Sequence, residues 1–291
     1  MTPQQYCLDK TRGSGSSFFY AFLFLPEEKR RAMMALYAFC REVDDIADEV
    51  SEQQVALTKL GFWREELGRI FQDKPRHPVG KELNWARKLF PIDEELLLEI
   101  IDGMLMDIQH LPILKSSDLS LYAYRVAGAV GLLSIEIFGY TDRSSRNFAT
   151  SLGEALQLTN ILRDVSLDAR LGRIYLPQDD RIRHKISDQA IKDGDMSGSL
   201  PTLLSEYGDK AEAAYQRALE ALPDTDRESL RPSLVMAAIY HAYLKELKAV
   251  HFDVWKHPVR ILPIHKMWIA WRAWRYEKKA AKSHRPLRLD F

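Results

Sequence analysis

Cysteine is scarce in this chain: Cys7 and Cys40 are the only two in 291 residues. Two thiols cannot build a disulfide framework or a cysteine-based metal knuckle, and such usage suits a reducing compartment, so the cytoplasm is the expected location. Net charge is lacking too, with 41 basic residues against 41 acidic. Bulk charge therefore gives no reason to expect nucleic acid as a partner. The N-terminus MTPQQYCLDK has no basic-then-apolar leader pattern, and the best uncharged apolar run, VAGAVGLLSI at 126–135, is short for crossing a bilayer. Gly13 and Gly15 follow no strand, so no dinucleotide fingerprint is present, and the alternation typical of strands is almost absent.

What the chain does have is helical periodicity and, at 46% hydrophobic residues, the means to bury a substantial core. Pro26 opens the first clear helix, with Glu27 and Glu28 in its first turn where the helix dipole favours anions, and the pattern runs to Val50. Further helices are expected over 52–72, 81–90, 93–111, 118–139, 143–168, 201–221, 227–250 and 262–281, punctuated by Pro112, Pro177, Pro201 and Pro232. The polar stretch 178–200 is expected to be a loop or a loosely packed excursion, not a domain linker. The fold class is all-α, a single domain over 1–291 with a basic, tryptophan-rich helix at 261–291.

The segment REVDDIADEV, 41–50, carries five carboxylates: Glu42, Asp44, Asp45, Asp48 and Glu49. On a helix Asp44 and Asp48 share a face, and Arg41 and Tyr37 extend that stripe backwards. Such a pair can offer oxygen ligands to magnesium, which takes one or two carboxylates plus substrate phosphates. Alone, an acidic helix end is more often a solvated face. A second segment, QLTNILRDVSLDARLGRIYLP at 157–177, repeats the pattern: Gln157, Asn160, Asp164 and Asp168 form one stripe beside apolar Leu156, Ile161 and Val165. Hard oxygen ligands of this kind suit magnesium, with manganese as the alternative, and suit zinc or copper poorly. Arg163 and Arg173 add planar forks that match phosphate oxygens. Two such stripes facing each other would hold a diphosphate through bridging cations. A di-iron bundle would need a Glu-x-x-His pair on each of two helices, and Asp107-x-x-His110 is the nearest approach.

Taken together, four segments resemble the squalene and phytoene synthase family. They are SSFFYAFLFLP (16–26), REVDDIAD (41–48), YAYRVAGAVGLLSIEI (122–137) and LGEALQLTNILRDVSLDARLGRIYLP (152–177). The resemblance implies an all-α isoprenoid synthase fold with the acidic helices on opposite walls of a cavity. It also implies head-to-head condensation of two allylic diphosphates, most simply farnesyl diphosphate. One substrate ionises, the second attacks the cation, and proton loss closes the cyclopropane of presqualene diphosphate. By the same resemblance the magnesium ligands are Asp44, Asp48, Asn160, Asp164 and Asp168, and the catalytic positions are Asp44, Tyr122, Arg163 and Asp164. The substrate-binding positions are Ser17, Phe22, Tyr37, Arg41, Asp45, Gln157, Arg173 and Tyr240. Tyr122 is equally readable as a core aromatic, for Tyr37 and Tyr240 the core reading is the more ordinary one, and the glycines of VAGAVG are readable as helix-packing residues.

The likeness is strongest to the bacterial, hopanoid-type branch that makes presqualene diphosphate for downstream squalene-forming enzymes, so NADPH is not expected. Phytoene, dehydrosqualene and complete squalene synthases are the competing products. A head-to-tail synthase or cyclase would lack the Arg163-Asp164 pair and the Arg173-x-Tyr175-x-Pro177 run. A catalytically dead assembly protein would have lost aspartates that this chain keeps. From 251 to 291 there are ten Lys or Arg against three acids, a surplus of seven, interleaved with Trp268, Trp271, Trp274 and Tyr276. That helix either lies in a lipid headgroup layer, as a peripheral contact with the inner membrane, or packs its tryptophans into the bundle.

Overall fold

A computed structural model of the chain describes residues 1–13, 18–50, 52–283 and 286–291, with side chains left aside at 18 and 281–283. Ser17, expected to touch substrate, lies outside the described residues. Every regular element among them is helical, and one contiguous apolar cluster runs from Cys7 to Leu289. The all-α reading holds.

α1 (Pro3–Gly13) and α2 (Phe18–Phe22) precede α3 (Glu27–Glu49). Periodicity missed α1 because it buries only Cys7 and Thr11. Polar links to α3 hold it instead, Tyr6 Oη donating to Glu42 at 2.7 Å and Lys10 Nζ lying 2.8 Å from Asp45. α3 begins directly after Pro26, whose φ of −54° already suits a helix. It buries a stripe that includes Ala32, Met33, Leu36, Phe39, Val43 and Ile46. α4 (Gln53–Phe71), α5 (Pro78–Ala86) and α6 (Glu94–Ile108) follow. α5 starts three residues before the expected 81 because Pro78 occupies its first turn and the His77 ring accepts from Val79 N.

The expected helix over 118–139 is a composite: α7 (Ser116–Ala123), a π-helical segment (Tyr124–Gly128) and α8 (Ala129–Phe138). Together they form a 23-residue span apolar and long enough to cross a membrane by length and composition, longer than the run seen in the sequence. Its window is 56% buried inside the bundle, which makes it a core helix here. α9 (Ser145–Arg170) is the spine, packed against the π segment, α8, α12 and α13. Two of its contacts need glycine. A Cβ at Gly153 would lie 2.8 Å from the backbone of Gly128, and one at Gly131 would lie 2.8 Å from the Ala149 carbonyl. The VAGAVG glycines thus permit close helix packing.

The segment 178–200 is not a plain loop. It contains α10 (Gln178–Arg183) and α11 (Asp188–Asp193). Six-residue helices are too short to display a period, and these are held by non-periodic bonds: Tyr207 Oη donates to buried Asp180 at 2.6 Å, and Ser187 Oγ caps α11 through Ala190 N. α12 (Leu200–Ala221), α13 (Arg231–Ala249) and α14 (Pro263–Ser283) complete the chain.

Candidate active site

α3, α6, α9 and α13, with the composite helix, surround a cavity of about 600 Å³. Residues of α3 (Tyr37, Arg41, Asp44, Asp48) and of α9 (Gln157, Asn160, Arg163, Asp164, Asp168) line it together. The two acidic stripes, more than a hundred residues apart in the chain, therefore share one chamber. A bridge ties them: Arg173 Nη1 donates to Asp48 at 2.6 Å and Nη2 to the Ala47 carbonyl at 2.5 Å. Arg41 Nη1 donates to Asp44 at 2.5 Å. Arg163 forks onto Asp164 at 2.9 and 2.5 Å, with its guanidinium 5.2 Å from the Tyr243 ring centre.

Apolar side chains share the lining, including Phe22, Met33, Ile100, Met104, Val126 and Leu156. Phe22 is fully buried and meets the Tyr37 ring edge-on at 6.3 Å. Tyr240 is buried, lines the chamber beside Tyr243, and has its phenol pKa raised by burial.

Asp45 departs from expectation. It lies one residue beyond Asp44, a rotation of about 100° around the helix, so it faces α1. There it pairs with Lys10 and Arg41 and does not line the chamber. Glu42 faces the same way, accepting from Tyr6 and lying 3.2 Å from Lys10. Of the five carboxylates of the 41–50 run, only Asp44 and Asp48 reach the cavity.

Sequence reasoning missed Asp107 and Tyr175, both in the lining. Asp107 accepts from Tyr122 Oη at 3.0 Å and from Tyr175 Oη at 2.7 Å, while the two tyrosine rings stack at 4.8 Å. The signal available was the Arg173-x-Tyr175-x-Pro177 run for Tyr175. Asp107 showed only as half of a failed di-iron motif.

Desolvation and mutual repulsion make several acids of the chamber harder to ionise than free carboxyls. Asp44 is pushed up to about 6, chiefly by desolvation and then by Asp48. Its side chain is 38% exposed and lines the chamber. Asp168 rises to about 7 through desolvation, Asp164, Asp107 and Asp48, against the pull of Arg173. Asp107 rises to about 6 through desolvation, opposed by its two tyrosine donors and Arg173. Tyr122 is raised well above the ordinary phenol value by burial and the Asp107 charge. Cys40, also in the lining, is held as a thiol, burial pushing it up to about 12.

No group of three or more His, Cys, Asp or Glu among the described residues could hold a metal ion unaided. One buried acceptor in the lining nevertheless stands without a hydrogen-bond partner: Asn160 Oδ1. Half-filled ligand sets on facing walls, with an orphaned oxygen and protonatable acids, fit cations whose remaining ligands come from a diphosphate.

Comparison with known proteins agrees with this arrangement. A family profile described as Squalene/phytoene synthase matches residues 11–267. The chain is 34% identical over 284 residues to a phytoene synthase of Mycobacterium tuberculosis, covering 96% of this chain and 93% of that protein. It is 34% identical over 259 residues to a presqualene diphosphate synthase of Sinorhizobium fredii, covering 89% and 92%. Among solved structures, a ligand-bound dehydrosqualene synthase superposes with a TM-score of 0.81 at 27% identity, over 95% of this chain and 97% of that one.

Proposed function

The chain belongs to the squalene/phytoene synthase family, whose chemistry is head-to-head prenyl condensation, and from that premise we propose that it joins two farnesyl diphosphates into presqualene diphosphate, releasing one diphosphate, in squalene or hopanoid formation. The observation that carries this reading is the convergence of the α3 and α9 stripes on one chamber that is also lined by many apolar side chains. The polar groups with their arginines suit a diphosphate, and the apolar side chains suit a prenyl chain.

In this reading magnesium would be held by Asp44, Asp48, Asn160, Asp164 and Asp168. When bound it supplies positive charge against the departing diphosphate. The residues do the rest. Arg41, Arg163 and Arg173 already line the chamber as ion-paired forks, and they exchange carboxylate partners for phosphate oxygens when substrate enters. Tyr37, Gln157 and Tyr240 border the same region. Phe22, Met33, Ile100 and Met104 exclude water from the allylic cation, which hydrolysis would otherwise consume.

Ring closure requires a proton to leave carbon. Tyr122 Oη takes it while passing its own proton to the Asp107 carboxylate, to which it already donates. The released diphosphate is the competing acceptor. Downstream squalene-forming enzymes are the natural consumers of the product.

A second reading, phytoene synthesis from longer diphosphates, is supported by the Mycobacterium tuberculosis relative at equal identity. Incubation of the purified protein with farnesyl diphosphate and magnesium, without NADPH, followed by mass spectrometry, tests the choice. Presqualene diphosphate is expected. Turnover of geranylgeranyl diphosphate alone, or of neither substrate, overturns the proposal.

A further inference from the structure

α14 has a finished inner face. Ile269, Ala270, Ala273, Glu277 and Ala280 are buried, and Glu277 is neutralised by Arg227 Nε at 2.7 Å. Trp274 also turns inward, stacked on Phe24 at 4.9 Å and beneath the Arg231 guanidinium at 4.6 Å. The core therefore needs nothing more from this helix.

Its outer face is nonetheless apolar. Leu262, just before the helix, and Ile264, Met267, Trp268 and Trp271 within it are 67%, 77%, 50%, 44% and 45% exposed, and no other stretch of ten described residues holds more than two exposed large hydrophobics. Exposed tryptophan on this scale is costly in water and is common where one side is greasy and the other wet. Each of the two is roofed by a cation one turn on, Arg272 over Trp268 at 4.4 Å and Arg275 over Trp271 at 4.6 Å. α14 itself carries Lys266, Arg272, Arg275, Lys278, Lys279 and Lys282 against a single acid, Glu277, which is buried. A surface at once apolar and cationic is complemented by one at once apolar and anionic, which describes a lipid headgroup layer over acyl chains. An acidic protein groove would need tryptophan pockets as well, and nothing in the charge pattern asks for them.

The position of the patch matters too. Lys266, in the first turn of α14, lines the chamber, with Nζ 5.6 Å from the Tyr243 ring centre. The first turn of α14, which leads into this face, therefore borders the chamber. We propose that this face docks on an anionic bilayer through Trp268, Trp271, Arg272 and Arg275, so that the chamber opens beside lipid. The docking stands on the surface alone; its use, passing an apolar product from chamber to bilayer, rests on the prenyl reading above.

Flotation of the full-length protein with phosphatidylcholine vesicles, with and without phosphatidylglycerol, tests it. Binding is expected only with the anionic lipid, reduced about tenfold or more in both Trp268→Ser/Trp271→Ser and Arg272→Glu/Arg275→Glu. Brominated acyl chains should quench the wild-type fluorescence, and quenching should largely disappear in Trp268→Phe/Trp271→Phe, which keeps an apolar face. Circular dichroism and thermal melting confirm that each variant is folded. Failure of the wild type to float, unchanged binding in the serine variant, or a concentration-dependent dimer abolished by that variant would each overturn the proposal. Turnover of detergent-dispersed farnesyl diphosphate is measured in parallel. Flotation without turnover sinks the prenyl reading and leaves the docking, and turnover without flotation does the reverse.

Discussion

Asp107 shows how one residue can be chemically central and silent in sequence. Its two tyrosine donors come from α7 and from the loop after α9, and only the fold brings them together. An Asp107→Asn substitution keeps an acceptor but removes the negative charge that draws the Tyr122 proton. Turnover should fall about 100-fold, at the lower end of general acid–base effects, with kcat bearing the loss and KM little changed. Steady-state kinetics with farnesyl diphosphate checks this, and an equal loss in KM would show Asp107 to be a mere packing residue. Asp44→Asn and Asp164→Asn each delete a proposed cation ligand. Both should abolish turnover while the protein stays folded, and retained activity in either would remove the metal assignment. The stripes were legible because helical period alone puts Asp44 beside Asp48 and Asn160 beside Asp164. The same period explains the error at Asp45, which borders the stripe in sequence and turns to Lys10 in space.

At the scale of elements, the long helices were readable and the short ones were not. α3 matched its expected limits within a residue because proline, acidic first turn and apolar stripe all agree. α1, α10 and α11 depend on bonds from distant side chains, which no local pattern encodes. The π-helical turn at Tyr124–Gly128 was equally hidden, since it looks like any helical stretch until α9 presses against it. That contact can be probed. Gly153→Ala would place a methyl 2.8 Å from Gly128 backbone atoms, which cannot rotate away as a side chain could. Overpacking of this kind costs about 1–3 kcal/mol, so a lower melting temperature is expected. Activity should suffer as well, because α9 carries one acidic wall and the π segment adjoins Tyr122. An unchanged melting temperature would mean that the helices separate freely at this crossing.

For the whole molecule, the burial of like charges makes the chamber a site of stored electrostatic cost. Asp44, Asp107 and Asp168 move from 3.8 to about 6, 6 and 7 on folding. Between about pH 4 and 7 the native state therefore holds protons that the unfolded chain has released, so stability falls as pH rises through that window. This is the reverse of ordinary acid denaturation. Carboxylates with depressed values, such as Asp180, Asp226 and Glu212, contribute the usual sense. Their contribution is complete above the unfolded carboxyl range of about 4 and does not compete in the higher window. Cations that neutralise the acids should relieve the cost only where the acids are ionised. Magnesium with inorganic pyrophosphate is thus expected to raise the melting temperature more at about pH 8 than at about pH 5, and the ligand-free protein to melt lower at the higher pH. Differential scanning calorimetry at both values decides the matter. A ligand-free melting temperature that rises steadily with pH, or a ligand-induced shift independent of pH, would mean that these carboxylates are neither mutually crowded nor the groups that grip the cation.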